Sequence, residues 1–376
     1  MRASPPPLHT GEGQAERSEA GGEVNRWISQ SLPENFYGGK QPCDSEPSPS
    51  FFALILTLAA LLPAHAQESA RPLIIAHRGA SGYLPEHTLE AKAMAYALGA
   101  DYVEQDVVLT QDDVPIIVHD IVLDTVTNIA EVFPGRARAD GHFYAIDFTL
   151  AEIKQLKVHE RIDPQTGETA FPNRFPLESV VGFEIPTLEE EIALIQGLNR
   201  STGRDVGIYP ELKEPAFHWA AGKDIGAIVL ALLEEYGYTR RTDQVFVQCF
   251  DPAYIRYLRE ELGTDLKLVQ LISGSQANLT TPQGLDAIAE YADGIGPSMS
   301  LVLSFDGQGQ AQITSLVAEA HARGLVVHPY TWRADSLPRN AASFDQLLEA
   351  AFVGAGVDGI FTDHTDRAVA FVNAMQ

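Results

Sequence analysis

Short runs rich in valine and isoleucine alternate with helical stretches along most of this chain. The alternation starts at Leu73-Ile-Ile-Ala76 and ends after Gly359-Ile-Phe361. Repeated β-then-α units require a parallel sheet that is covered on both faces. About eight such units fit into the stretch, which favours a closed (β/α)₈ TIM barrel over an open sheet. The predicted strands are 73–76, 102–109, 115–118, 206–209, 245–248, 266–271, 294–295, 325–328 and 359–361. The predicted helices are 86–98, 149–157, 187–199, 218–236, 252–262, 310–323, 343–353 and 364–374.

A doubly wound sheet is the alternative fold. Such sheets often carry a G-x-G-x-x-G phosphate-binding turn, and Gly354-Ala-Gly-Val-Asp-Gly359 matches that spacing. Here, however, the glycines follow a predicted helix and precede a strand, which is the wrong order, so they are read as a loop. Residues 121–186 interrupt the alternation and are predicted to be a small insertion subdomain at the barrel mouth, after the strand that leads to His119.

The first 66 residues have a different character. An apolar stretch, Phe51 to Pro63, is followed by Ala64-His-Ala66, the pattern of a secretory signal peptide with cleavage near Ala66. Residues 1–66 are therefore predicted to be a leader that is removed, and 67–376 the mature domain, located in the periplasm. A buried helix or a membrane anchor is the alternative reading of the apolar stretch.

The charge of the chain excludes other classes of protein. Lys and Arg number 26 against 51 Asp and Glu, for a formal charge of −25. A chain this acidic is not expected to bind nucleic acid, since such binding depends on cationic side chains. Outside the N-terminal region no apolar run is long enough to span a bilayer, so no stable membrane insertion is expected. Assembly as a homodimer is left open.

Polar residues at the ends of apolar strands are the candidate site, because active sites of (β/α)₈ barrels lie at the C-terminal ends of their strands. The first strand leads into His77-Arg78: the imidazole exchanges protons near neutral pH, and the guanidinium binds phosphate oxygens. Period-two alternation places Glu104 and Asp106 on one face of the second strand. Two adjacent carboxylates repel each other unless a cation or a shared proton offsets their charge, and a Ca²⁺ or Mg²⁺ site is predicted as the simplest solution, with a solvated strand edge as the alternative.

Chain length brings a second histidine to this carboxylate pair. Strands 102–109 and 115–118 are too close in sequence for a parallel crossover, so they must form a hairpin. A turn centred near Asp112-Asp113 places Asp106 roughly opposite His119. A further strand ends in Glu211-Leu-Lys213, which offers a third carboxylate for the cation and an ammonium for a phosphate oxygen. An acid–base pair, a divalent cation and phosphate-binding cations together indicate phosphodiester cleavage.

The segments that carry these residues resemble the glycerophosphodiester phosphodiesterase family, in particular its periplasmic Gram-negative members. The resemblance covers about residues 71–375 and is most specific at 75–88, 104–106, 119–120, 144–149, 207–211, 248–251, 291–297 and 327–330. It implies hydrolysis of deacylated phospholipids, which are small soluble molecules, to glycerol 3-phosphate and an alcohol. It further implies that His77 and His119 form the acid–base pair and that one divalent cation, Ca²⁺ with Mg²⁺ as the alternative, binds Glu104, Asp106 and Glu211.

Two aromatic residues at strand ends, Phe361 and Trp332, are further candidates for the wall of the glycerol pocket, with ordinary packing as the alternative for each. Two other functions compete with the main hypothesis. A phospholipase acting on intact lipid needs an exposed apolar rim, which the sequence does not show. A binding protein with an inactive site would lack a histidine or a carboxylate of the set, whereas all are present.

Overall fold

The computed structural model describes residues 71–375, and the predicted leader 1–66 lies outside them. The strands are β1 (Leu73–Ala76), β2 (Tyr102–Leu109), β3 (Pro115–Ile117), β4 (Gly207–Leu212), β5 (Phe246–Cys249), β6 (Lys267–Ile272), β7 (Gly294–Pro297), β8 (Leu303–Phe305), β9 (Ala311–Ile313), β10 (Val326–Val327) and β11 (Gly359–Thr362). The α-helices are α1 (Leu89–Ala97), α2 (Ile129–Val132), α3 (Leu150–Ile153), α4 (Leu188–Thr202), α5 (Pro215–Ala220), α6 (Ile225–Glu235), α7 (Pro252–Glu260), α8 (Pro282–Ile288), α9 (Met299–Val302), α10 (Leu316–His321), α11 (Phe344–Glu349) and α12 (Thr365–Ala374).

Eight parallel strands form a nearly closed barrel, which confirms the predicted fold class. Their order around the barrel is β10-β7-β6-β5-β4-β2-β1-β11. Backbone hydrogen bonds then join the two end strands: Asp358 N donates to Val327 O at 3.1 Å, and Trp332 N donates to Phe361 O at 2.9 Å. Because these bonds link the two end strands, the C-terminal ends of all eight strands surround one opening.

The helices pack outside the barrel, and their ends are fixed by side chains that the sequence provides. The Thr88 hydroxyl accepts from Ala91 N at the start of α1, and Thr187 forms a capping box with Glu190 at the start of α4. The largest core cluster lies between helices and strands and includes Val103, Val107 and Ile208, all without exposed surface.

Two predicted helices outside the insertion are divided or shortened in the structure. The stretch 218–236 is divided into α5 and α6, because Gly222 adopts a φ of +77° and Asp224 caps a new helix by accepting from Ala227 N. The stretch 310–323 begins as β9, which pairs with β8 in a hairpin, and only α10 is helical. The Asp306 carboxylate closes this hairpin by accepting from Gln308 N and Gln310 N, each at 2.9 Å.

Residues 121–186 contain little regular structure. The helix predicted at 149–157 is only the single turn of α3, and isolated bridges such as Val158 with Phe183 hold the rest together. A separate apolar cluster, which includes Phe143, Phe148, Val158 and Phe183, packs against Val108 of the β2–β3 hairpin. The segment is therefore attached to the barrel beside the strand that carries Glu104 and Asp106.

Candidate active site

Side chains inside the barrel form an apolar layer with a polar layer above it. The apolar layer consists of Ile75, Tyr102, Tyr209, Phe246, Val269 and Phe361. Alternation along a strand directs every second residue into the same interior. The residues two positions beyond Ile75, Tyr102, Tyr209 and Phe246 are His77, Glu104, Glu211 and Gln248. Strand geometry alone thus places an imidazole, two carboxylates and an amide at the C-terminal mouth.

A cavity of about 390 Å³ opens at this mouth. Its lining residues are His77, Arg78, Glu104, His119, Glu211, Gln248, Phe250, Leu271, Ser298, Met299, Ser300, Tyr330, Thr331, Arg333 and Phe361. The cavity therefore contains both predicted histidines, two of the three predicted carboxylates, Arg78 and Phe361. Asp106 lies beside it, and its carboxylate is 3.5 Å from the Lys213 ammonium.

His77 lines the cavity, and one of its ring nitrogens contacts a buried carboxylate. Its Nδ1 lies 2.7 Å from Asp363 Oδ1, and Asp363 is almost completely buried. Burial and the neighbouring Arg78 lower the pKa of His77 to about 4, although the Asp363 carboxylate opposes this shift. The imidazole is consequently neutral at pH 7 and available to accept a proton.

His119 has a similar partner but a more open position. Its Nδ1 lies 2.6 Å from Asp120 Oδ1, and Arg161 donates to the other oxygen of Asp120 at 2.7 Å. Burial, together with Arg78 and Lys213, lowers the pKa of His119. The side chains of His119 and Asp120 remain 31% and 28% exposed, so this pair keeps contact with solvent.

The hairpin that delivers His119 has the predicted antiparallel direction but a different register. Val107 pairs with Ile117, so Asp106 lies opposite Val118 and not opposite His119 as predicted. The turn explains the difference: Val114 N donates to the Thr110 hydroxyl, and Asp113 adopts a φ of +63°, so the loop is not centred where its sequence suggests. His119 nevertheless lies at the cavity, one residue beyond the partner of Asp106.

The three carboxylates Glu104, Asp106 and Glu211 lie on adjacent strands, with Asp106 and Glu211 in register. Burial and the Asp106 charge raise the pKa of Glu104, and burial raises the pKa of Glu211 to about 8. Burial also opposes ionisation of Asp106, but Lys213, His119 and His87 outweigh it and hold the Asp106 pKa well below its usual range. Among the described residues, none forms a hydrogen bond with buried Asp106 Oδ1, although the Lys213 ammonium lies 3.5 Å from it. Three buried carboxyl groups offer hard oxygen donors, which suit a divalent cation of the Ca²⁺ or Mg²⁺ type.

His87 also belongs to this cluster, because single donor atoms of His87, Glu104 and Asp106 lie within 4.8 Å of one another. The neighbours of His87, however, determine which of its two ring nitrogens carries the hydrogen. Lys92 Nζ approaches His87 Nδ1 at 3.2 Å, and an ammonium can only donate, so the ring hydrogen is on Nε2. That hydrogen is donated to Asp106 Oδ2 at 2.7 Å. His87 therefore orients the carboxylate of Asp106, and the carboxylates remain the better candidates for cation ligands.

Arg78 and Lys213 supply positive charge on two sides of the cluster. Arg78 has a φ of +59°, and this left-handed turn directs its backbone N–H at Glu104 Oε2, 2.5 Å away. Its guanidinium contacts Glu86 at 3.0 Å and Asp106 at 3.5 Å. The Lys213 ammonium lies 2.8 Å from Glu211 Oε1, and the two carboxylates near it outweigh burial and raise its pKa. Both side chains are cationic in the range where a phosphodiester is anionic.

The two aromatic candidates differ in position. Phe361 lines the cavity and packs edge-on against Tyr209, with ring centroids 5.0 Å apart. Trp332 does not reach the cavity, which corrects its predicted place in the pocket wall. Its neighbours Thr331 and Arg333 line the cavity, while Trp332 is fully buried in the outer core and donates its indole N–H to Pro329 O at 3.0 Å.

Comparison with known proteins agrees with this geometry. Residues 77–367 match the model of the glycerophosphoryl diester phosphodiesterase family. The chain belongs to that family. It is 42% identical to a glycerophosphodiester phosphodiesterase of Haemophilus influenzae, over 83% of this chain and 93% of the relative. It is 37% identical to one of Treponema pallidum, over 80% of this chain and 91% of the relative.

A solved structure shows the same fold. The crystal structure of a Silicibacter pomeroyi protein assigned to the same class of phosphodiesterase matches with a TM-score of 0.60 and 27% identity, over 81% of this chain and 94% of that one. The chain is thus an enzyme, a phosphoric diester hydrolase of the glycerophosphodiester phosphodiesterase family. No helix within residues 71–375 is long and apolar enough to cross a bilayer.

Several residues of the candidate active site were not identified from the sequence. Gln248, Tyr330, Thr331 and Arg333 line the cavity. Of these, Gln248 lies two positions beyond Phe246 on β5, so the period-two pattern could have indicated it. The other omissions are Glu86, His87, Lys92, Arg161, Arg174 and Asp363, which surround the predicted residues. Of these, Glu86 and His87 lie inside the conspicuous motif after His77, where their polarity next to an apolar strand was an available signal.

Proposed function

We propose that this enzyme hydrolyses glycerophosphodiesters to sn-glycerol 3-phosphate and an alcohol, with one divalent cation and two catalytic histidines. The observation that carries the proposal is a single cavity of about 390 Å³ that contains His77, His119, Glu104 and Glu211. The relatives named above, called glycerophosphodiester phosphodiesterases, support the choice of substrate class.

Glu104, Asp106 and Glu211 are the residues that would hold the cation, since their carboxyl groups lie on two paired strands and, within residues 71–375, Asp106 Oδ1 has no hydrogen-bond partner. A divalent cation bound there supplies positive charge against the negative phosphodiester. Ca²⁺ is favoured because it tolerates irregular sets of carboxylate ligands, whereas Mg²⁺ demands octahedral geometry and keeps its waters.

The remaining side chains bind and orient the phosphodiester. Arg78 and Lys213 lie on either side of the carboxylates and would bind phosphate oxygens, and they would also stabilise the charge that builds up on those oxygens during reaction. Phe361 closes the bottom of the cavity and would pack against the glycerol carbons. The apolar layer beneath excludes water from this side of the site.

The two histidines would exchange protons with the reacting oxygens. We assign His77 as the base, because its imidazole is neutral and its Nδ1 is committed to Asp363. His119 would then protonate the departing alkoxide. The positive charges of Arg78 and Lys213 disfavour the protonated form of His119, and the negative charge of a bound phosphodiester would offset them.

The nucleophile is either the 2-hydroxyl of the glycerol, which gives a cyclic phosphate, or water. Trapping a cyclic glycerophosphate would favour the first, and ¹⁸O from water in the first-formed product would favour the second.

A coupled assay for sn-glycerol 3-phosphate, with glycerophosphocholine and glycerophosphoethanolamine as substrates, tests the proposal. We expect release from both, complete loss after treatment with EDTA, and recovery when Ca²⁺ is added, with Mg²⁺ as the comparison. Full activity in the EDTA-treated enzyme would reject the cation. Faster cleavage of phospholipid vesicles than of the soluble diesters would instead indicate an enzyme for intact lipid.

Export through the N-terminal segment is part of the proposal, supported by the apolar stretch 51–63 and the Ala64-His-Ala66 motif. We expect the mature protein in the periplasm with a first residue near Gln67. N-terminal sequencing of the exported protein measures this, and a start far from that position would refute cleavage there. Sedimentation of the same material measures whether the mature chain forms a homodimer.

A further inference from the structure

Asp363 is separated from His77 by 286 positions in sequence, yet the two side chains are in contact. Asp363 follows β11 directly, and β11 pairs with β1, which leads to His77. The distance from His77 Nδ1 to Asp363 Oδ1 is 2.7 Å. Pairing of β1 with β11 through four residues fixes the two backbones relative to each other, so the contact depends on the parallel ladder of the barrel.

The second oxygen of Asp363 is held by two arginines. Arg174 Nη2 and Arg333 Nε each donate to Asp363 Oδ2 at 2.7 Å. Arg174 belongs to the insertion and is itself fixed by Asp335, at 2.8 Å, and by the ring of Phe171, 3.8 Å from its guanidinium carbon. We call Asp363, Arg174 and Arg333 the Asp363 clamp. Both oxygens of the Asp363 carboxylate accept hydrogen bonds and cannot donate them. His77 Nδ1, which faces Asp363 Oδ1, must therefore carry a hydrogen.

We propose that Asp363 is a positioning residue that holds His77 as the tautomer with hydrogen on Nδ1, so that the lone pair of Nε2 is presented to the substrate. The inference rests on the proposed role of His77 as the base. The carboxylate also stabilises the imidazolium that forms when Nε2 takes the proton of the nucleophile. Arg174 and Arg333 act one step further away, because they fix the orientation and the ionised state of Asp363.

A purely structural role for Asp363 is the alternative. A buried carboxylate with two guanidinium partners would hold the β11 end and the insertion together without any effect on the histidine ring. The two roles differ in what they require of His77 Nδ1. The structural role is indifferent to it, whereas the positioning role demands a hydrogen there.

The substitution Asp363→Asn separates the two roles. An amide has one acceptor oxygen and one donor nitrogen, and the two guanidinium groups admit only the oxygen on their side. The NH₂ group must then face His77, so it donates to Nδ1 and moves the ring hydrogen to Nε2. The base would have no lone pair for the substrate, while the shape of the site and its contacts with Arg174 and Arg333 would be preserved.

The test combines steady-state kinetics with ¹⁵N-histidine NMR of the mature enzyme. For Asp363→Asn we expect kcat to fall by ~10⁴, as in other carboxylate–imidazole pairs, with KM changed little. We expect the His77 ring, identified by the resonances that His77→Gln removes, to change from the Nδ1–H to the Nε2–H pattern. A loss of kcat below about tenfold, or an unchanged tautomer, would overturn the proposal.

Asp335→Asn is the matched control, because Asp335 binds the same Arg174 but does not touch His77. We expect its tautomer pattern to equal that of the wild type. If Asp363→Asn fails to fold, the wild-type spectrum still decides, since a native His77 with hydrogen on Nε2 overturns the proposal. An active His77→Gln enzyme would refute the proposed role of His77 as the base. If His77→Gln is inactive and Asp363→Asn is active, only the positioning role of Asp363 is refuted.

Discussion

The two histidines of the cavity are held by the same arrangement at two depths. In each case Nδ1 contacts an aspartate whose other oxygen binds an arginine of the insertion, Arg174 for one and Arg161 for the other. The His77–Asp363 side chains are 11% and 2% exposed, whereas those of His119 and Asp120 are 31% and 28% exposed. A carboxylate acts more strongly on its neighbour when water is excluded. The deeper pair suits a base that starts neutral with its Nδ1 bound to a carboxylate, and the shallower pair suits an acid that regains its proton from solvent.

Loss of either imidazole is the strongest test of this difference. His77→Ala and His119→Ala should each lose ~10²–10⁴ in kcat on glycerophosphocholine. With a nitrophenyl glycerophosphodiester, whose leaving group departs without a proton, only His119→Ala should recover most of its rate. Measurement of kcat for both substrates checks this. An equal recovery in both variants would show that the two histidines do not divide the roles as assigned. His142→Ala, which removes a half-exposed imidazole of the insertion, is the control and should match the wild type.

Substitution of Arg161 or Arg174, the two arginines of the insertion that bind these aspartates, should lower kcat less than loss of either histidine. Hydrogen bonds to charged groups contribute about 1.5–3 kcal/mol, so Arg161→Met and Arg174→Met should each lose roughly 10- to 100-fold in kcat. The loss in Arg161→Met should shrink with the nitrophenyl substrate, because Arg161 acts on His119 through Asp120. The loss in Arg174→Met should persist. Arg136→Met, which removes an exposed arginine bound to Glu152, is the control. Identical substrate dependence in the two variants would contradict separate action on the two pairs.

The carboxylates between the two pairs predict a pH dependence of cation binding. Burial raises the pKa of Glu211 to about 8, so without cation this carboxyl group tends to carry a proton at pH 7, and the pKa of Glu104 is raised in the same direction. A cation must displace the Glu211 proton, and its affinity should therefore increase as pH rises from 6 to 8, by about tenfold or less per pH unit for each proton released. Calorimetric titration of Ca²⁺ into metal-free enzyme, in buffers of different ionisation enthalpy, measures both quantities. Glu211→Gln should flatten the slope, and a constant affinity over this range would contradict the protonated state of the cluster.

Much of this site could be predicted because it depends on local rules. Period-two alternation correctly gave a common face for Glu104 and Asp106, and the short connection to the next strand required a hairpin. The register of the hairpin was wrong by one residue, because turn geometry at Thr110 and Asp113 depends on side-chain hydrogen bonds that the pattern does not encode.

The supporting residues could not be predicted in this way. Asp363 meets His77 only because the barrel closes, and Arg174 reaches Asp363 across 189 positions from a segment without regular periodicity. Similarly, the β8–β9 hairpin was read as part of a helix, since Asp306 sets its turn through contacts with backbone N–H groups. Contacts that depend on closure of the barrel or on irregular segments are properties of the whole fold. Patterns in short stretches of sequence therefore cannot predict them.

The apolar layer under the charged groups has a consequence for how the molecule can be altered. Tyr209 and Phe246 stack with centroids 4.8 Å apart, and Tyr102 and Phe361 complete a plug across the barrel. This plug insulates the opposite end of the cylinder, both from solvent entry and from the electric field of the charged groups above it. Surface attachments, affinity tags or altered charges at the N-terminal ends of the strands should accordingly leave turnover intact, which makes that end the place to tether the enzyme to a support.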